Sequence, residues 1–193
     1  MEGTKISVHE AAIRNSSKFF DNAMKPEWAT SRPDACTVDL TDEDPAIFKI
    51  YLHWLYFKTI PTVVTKRPEC MNPEVTTLSR CYVMGEMLMD IGFKDAGLNA
   101  FRDAMLNQPF YKPFRPGPAT VQIIYDGTQE GSPARRFMVD IWMRKADEEW
   151  AARVDDMPLA FTLELSKAFM ACKRTPAMTM TPWVTSMKDF HEK

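Results

Sequence analysis

The segment that most constrains this chain follows its first acidic run. Thr41-Asp42-Glu43-Asp44-Pro45 ends in an Asp that can accept unpaired amide hydrogens as an N-cap and a Pro whose missing N–H costs nothing at the first helical position. The helix that starts at Pro45 carries Ile47, Phe48, Ile50, Tyr51, Leu52, Trp54, Leu55 and Tyr56, and over residues 47–57 only Lys49 and His53 are polar. A helix apolar around most of its circumference has to be buried, so the spacing predicts an element central to its domain with other elements packed around it.

The flanking sequence supplies those elements. Upstream, Ile6-Ser7-Val8 alternates before His9 like the end of a short strand, and Ala12, Ile13 and Phe20 give an apolar face over residues 9–24. Asn15-Ser16-Ser17 compete with the backbone for hydrogen bonds, which splits that stretch into two short helices. Pro26 and Ser31-Arg32-Pro33-Asp34 mark a loop, and Cys36-Thr37-Val38-Asp39-Leu40 alternates with β-branched residues like a strand. Downstream, residues 58–74 read as a connecting loop to which Val63-Val64 adds a little strand. Leu78, Cys81, Tyr82, Gly85, Leu88 and Met89 lie at helical spacing, as do Phe93, Ala96, Ala100, Phe101, Ala104 and Met105 beyond Gly92, so they predict an antiparallel helical hairpin.

Four prolines from Gln108 to Pro118 make a stiff connector, the best boundary in the chain. Three more helices are expected beyond it, near 118–127, 133–154 and 158–172, each opened by a Pro near its first turn. The organisation expected is a domain over residues 1–108, a Pro-rich connector over 109–117, a helical extension over 118–174 and a loose tail over 175–193, onto which Trp183 and Phe190 can dock back.

Apolar residues at 45% and charged residues at 26% suit a globular chain with a real core, and a net charge of −2 gives no pull toward nucleic acid or acidic membranes. Charged residues interrupt every apolar stretch before the ~20 residues of a membrane span, and MEGTKISVHEAA lacks the apolar core of a signal peptide. A cytoplasmic or nuclear location is therefore expected, with Cys36, Cys70, Cys81 and Cys172 reduced and behaving as small hydrophobes.

The chemistry-bearing residues are sparse. His9, His53 and His191 are paired with no recognisable nucleophile, and no Gly-x-Ser-x-Gly, phosphate-cradling Gly-Lys-Ser/Thr, His-Glu-x-x-His or Cys-x-x-Cys pattern occurs. The acidic runs Asp42-Glu43-Asp44 and Asp147-Glu148-Glu149 fit a helix N-terminus and a solvated helix face. The expectation is a protein with no catalytic residue, no cofactor, no metal and no small-molecule substrate.

Laid end to end, the elements resemble a known order. Val8-His9-Glu10 leading into Ser16-Ser17-Lys18-Phe19-Phe20 resembles the BTB/POZ signature of a Val-His-Lys-type triplet before a helix and a Ser-x-x-Phe stretch. Residues 38–48 resemble that family's strand, acidic cap and following helix, and Leu52-His53-Trp54-Leu55-Tyr56 matches its Leu-x-x-Leu-Tyr close. The resemblance covers residues 6–108, in the manner of fungal BTB proteins. It implies a mostly helical α/β fold, a BTB/POZ module with a small, N-terminally truncated sheet, followed by the helical extension. It implies a docking platform for protein partners, dimeric through Val8, Ala12 and Ile13. Some members are substrate adaptors that recruit a cullin to a ubiquitin ligase, with Trp28, Tyr56 and Phe57 on the cullin-facing surface. The adaptors' hydrophobic-x-Glu motif aligns with Trp28-Ala29-Thr30, which keeps the apolar anchor and lacks the Glu. The alternative is a self-associating scaffold or transcription-related docking protein that binds no cullin.

Overall fold

The structure, a computed structural model, describes residues 4–30, 32–61, 73–106, 116–145, 152–172 and 186–192. Val63-Val64, most of the Pro-rich connector, residues 146–151 and Trp183 lie outside them. The described residues form nine α-helices: α1 Glu10–Ser16, α2 Lys18–Ala23, α3 Pro26–Ala29, α4 Pro45–Phe57, α5 Pro73–Met87, α6 Ile91–Leu106, α7 Pro118–Gly127, α8 Pro133–Lys145 and α9 Leu159–Cys172. Two 3-10 turns, Val154–Asp156 and Lys188–Phe190, complete them.

Among the described residues there is no β-strand, which corrects the expected α/β class and removes the small BTB/POZ sheet. The reason is local. Asp34 takes the Cys36 amide at 3.0 Å and the Thr37 hydroxyl, and Asp39 takes the Thr41 amide at 2.9 Å, so side chains occupy amides that a ladder would need. Ile6, Val8, Val38 and Leu40 do alternate inward, but they pack on helices rather than on another strand. Alternation reports one buried face; it does not supply a partner strand.

The central helix is α4. Asp44 caps it by accepting the Ala46 amide at 2.8 Å, Pro45 occupies its first turn, and Ile47, Phe48, Tyr51, Trp54 and Leu55 are buried. Its C-terminus closes on Lys58 in the left-handed conformation, φ 55°, with the ammonium 3.9 Å from the Trp54 ring centre. The break between α1 and α2 falls at Ser17, whose buried hydroxyl donates to the Leu88 carbonyl at 2.6 Å and accepts the Phe20 amide at 3.2 Å.

The α5–α6 hairpin is the wall between two cores. Cys81 and Met84 of α5, and Leu88 just beyond its end, face α4 together with Ile13 and Phe20. Val75, Leu78 and Tyr82 face the other way into a larger core with Phe101, Ile124, Phe137, Trp142 and Phe161. That second core joins α5 and α6 to α7, α8, α9 and the last turn, where Phe190 is buried 5.3 Å from the Phe137 ring. α7 crosses α5 so closely that a Cβ at Gly127 would overlap the Val83 side chain.

Candidate docking site

A cleft of about 330 Å³ opens between α2, α3, the loop after it and the end of α5, lined by Phe19, Asn22, Ala23, Trp28, Arg32 and Met89. Each wall has a local cause. Ser17 starts α2 against the end of α5, and the Phe19 amide bonds the Leu88 carbonyl at 3.3 Å, which sets Phe19 at the rim. Pro26 begins the single-turn helix α3, whose Ala29 is buried while Trp28 remains 66% exposed.

Arg32 bridges α2 to the loop: its Nη2 donates to the carbonyls of Ala23 at 2.7 Å and Ala35 at 2.9 Å. Its Nε is buried and has no hydrogen-bond partner among the described residues. Met89 stands in the left-handed region, φ 52°, where a residue other than Gly costs roughly 1–2 kcal/mol. This unfavourable Met is 44% exposed and lines the cleft.

The residues singled out by resemblance divide. Trp28 stands at the cleft. Tyr56 turns to the N-terminal segment, where its hydroxyl accepts the His9 amide at 3.1 Å and lies 2.9 Å from His9 Nδ1. Phe57 is 68% exposed with its ring 4.8 Å from that of His53. Val8 and Ala12 are half-buried on the smaller core and Ile13 lies inside it, so Ile13 offers nothing to a second copy in this arrangement. Phe19, Arg32 and Met89 were not legible as site residues. Phe19 sits beside core Phe20 in the pattern, Arg32 lies in a loop, and Met89 continues the α5 stripe by spacing and leaves it only because the helix stops.

The buried ionisable groups lie elsewhere and serve the scaffold. Tyr51 donates to Asp90 at 3.1 Å, and burial, then the Asp90 charge, push its phenol up strongly; Asp90 also accepts the Phe93 amide at the start of α6. Burial pushes the Cys81 thiol up to about 12, which makes it a poor nucleophile. Lys94, 7% exposed, pairs with Glu86 at 2.6 Å and Glu192 at 2.8 Å. Burial alone lowers the Lys94 pKa, but hydrogen bonds to the two carboxylates outweigh it and the net shift is upward. Tyr125 donates to Glu164 at 2.6 Å while Arg135 packs 4.5 Å from the Tyr125 ring centre. Among the described residues no group of three or more His, Cys, Asp or Glu could hold a metal ion, and no helix is long and apolar enough to cross a membrane.

No family model matches the chain, and neither a curated protein nor a solved structure matches it.

Proposed function

We propose that this chain is a non-enzymatic protein–protein docking module of BTB/POZ type that acts in the cytoplasm or nucleus through the Trp28 cleft. What carries the reading is a largely exposed Trp beside an apolar cleft lined by the half-buried Arg32, whose buried Nε has no hydrogen-bond partner among the described residues. Trp and Arg are the side chains that most often dominate binding energy, and a cleft of this size takes one apolar anchor from a partner. Met89 supports it, because a residue held in an unfavourable backbone conformation at an open rim costs stability that the fold does not recover there. What is left of the BTB/POZ resemblance is the helical order, with the split first helix, the Asp-Pro cap and the helical hairpin; the sheet it implies is absent among the described residues.

The partner class the resemblance supplies is a cullin. Titrating the full chain against a cullin N-terminal domain by calorimetry tests it: binding at tens of micromolar or tighter, weakened about tenfold or more by Trp28→Ala, is expected. Absence of binding removes the adaptor role, and binding indifferent to Trp28→Ala removes the cleft.

A further inference from the structure

The turn Lys188–Phe190 and its neighbours are held to the helices as a bound peptide is held. Met187 and Phe190, three residues apart, are buried in the larger core, while His191 and Glu192 bond side chains of the α5–α6 hairpin. Asp95 accepts the Glu192 amide at 3.0 Å, and His191 Nε2 lies 3.1 Å from Asn99 Oδ1. One Glu192 carboxylate oxygen takes the Tyr82 hydroxyl and the Lys94 ammonium, each at 2.8 Å. Charge matches as well: Lys94 and Arg136 of α8 attract the carboxylate, and Asp95 stands against the amide and the His191 ring.

The socket does not depend on the segment that fills it. Glu86 places the Lys94 ammonium at 2.6 Å, and the Lys94 stem lies so close over Gly85 that a Cβ there would come within 2.7 Å of its Cγ. Tyr82, Lys94, Asp95 and Asn99 are all set by the helices α5 and α6. Groups held by their own scaffold keep their places when an occupant leaves, and such preorganisation lets a short ligand bind. The occupant is a different kind of unit. It has a single turn of backbone bonding, the Phe190 amide to the Met187 carbonyl at 2.8 Å, and a unit so small opens locally while the helices stay closed.

We infer that this socket is a peptide-recognition site occupied in cis, with residues 187–192 as a releasable plug. The external ligand is a protein segment of the same chemistry: two apolar anchors three residues apart, then a carboxylate two residues later. A plug borne on the same chain competes at an effective concentration on the order of millimolar, so it holds off weak ligands and yields to a matching one. The site goes beyond the docking reading and uses none of the residues that line the Trp28 cleft.

Fluorescence anisotropy of a labelled, C-terminally amidated peptide of residues 186–193 tests the site on the full chain carrying Phe190→Ala, which removes the buried aromatic anchor of the plug. Saturable binding at or below ~500 µM is expected, about tenfold or more tighter than to the parent chain, whose own plug competes. Phe190→Ala or Glu192→Gln in the peptide weakens it about tenfold. Hydrogen exchange of the parent chain gives a reading without any variant: the Phe190 and Glu192 amides exchange about tenfold or more faster than the middle of α6. No binding to a Phe190→Ala chain that keeps its helical circular dichroism, equal binding to both chains, or binding indifferent to both peptide changes overturns the inference. So does a Phe190→Ala chain that unfolds, or exchange in step with α6, since the segment is then a fixed part of the core. Trp28→Ala leaves peptide binding unchanged, so failure of the docking reading and failure of this one are separate results.

Discussion

Replacing Lys94 with Met isolates the ionic latch that holds the end of the chain to the α5–α6 hairpin. The ammonium sits between Glu86 of α5 and Glu192, whose carboxylate also accepts the Tyr82 hydroxyl at 2.8 Å and whose amide donates to Asp95 at 3.0 Å. Met keeps the aliphatic stem that packs on Gly85 and removes only the charge. Breaking a fully buried ion pair costs ~3–5 kcal/mol, because the partner is left charged and unpaired. Here the Lys94 side chain is 9% exposed but those of Glu86 and Glu192 are 32% and 20% exposed, so water takes back part of the loss. The expected cost is ~2–3 kcal/mol, or about 5–10 °C in melting temperature for a chain of this length. The pH dependence has a definite sign. The Glu192 pKa lies below its usual value: burial alone would raise it, and the bonds from Lys94 and Tyr82, aided by Arg136, outweigh that. Its stabilisation is present above ~pH 4.3 and is lost as pH falls through the lower folded value. That of Lys94, with its raised pKa, is full below ~pH 10.4 and is lost as pH rises through the folded value. Asp95, raised by burial and lying near His191, opposes Glu192 on the acid side: its contribution favours the fold below ~pH 3.9 and is lost as pH rises. Thermal and urea unfolding of Lys94→Met from acid to alkaline pH measures this. A melting temperature within about 2 °C of the parent at neutral pH refutes the reasoning.

Tyr51→Phe leaves Asp90 with one buried acceptor unpaired, and urea unfolding should show a loss of ~1–3 kcal/mol. Met89→Gly relieves the left-handed strain and removes a wall of the cleft, so stability rises by roughly 1 kcal/mol while affinity for a cleft-binding partner falls. Gly127→Ala drives a methyl into the stiff Val83 side chain and should cost ~1–3 kcal/mol in the same assay, with Val83→Ala restoring part of it.

Much of the helical order was legible because capping and periodicity act over a few residues. The Asp44-Pro45 start of α4, the split at Ser17, the α5–α6 hairpin and the Pro-opened helices α7 and α8 each follow from local chemistry. The absence of a sheet was not legible, because Cys36 to Leu40 shows the alternation of a strand while the side chains of Asp34 and Asp39 take the amides of Cys36 and of Thr41 just beyond it. Of the residues singled out by resemblance, Trp28 lines the cleft, Ile13 lies in the core and Tyr56 bonds His9.

By itself the sequence determined where α4, α7 and α8 start and that α4 is enclosed, since these depend on neighbours within about one turn, while the single turn α3 at Pro26–Ala29 read as loop. Only the tertiary structure decided that α5 serves two cores, that the last residues close on Lys94, and that Phe19, Arg32 and Met89 meet Trp28 at one cleft. Those contacts join residues distant in the chain. No local pattern encodes them, because they arise from how helices of fixed shape fill shared space.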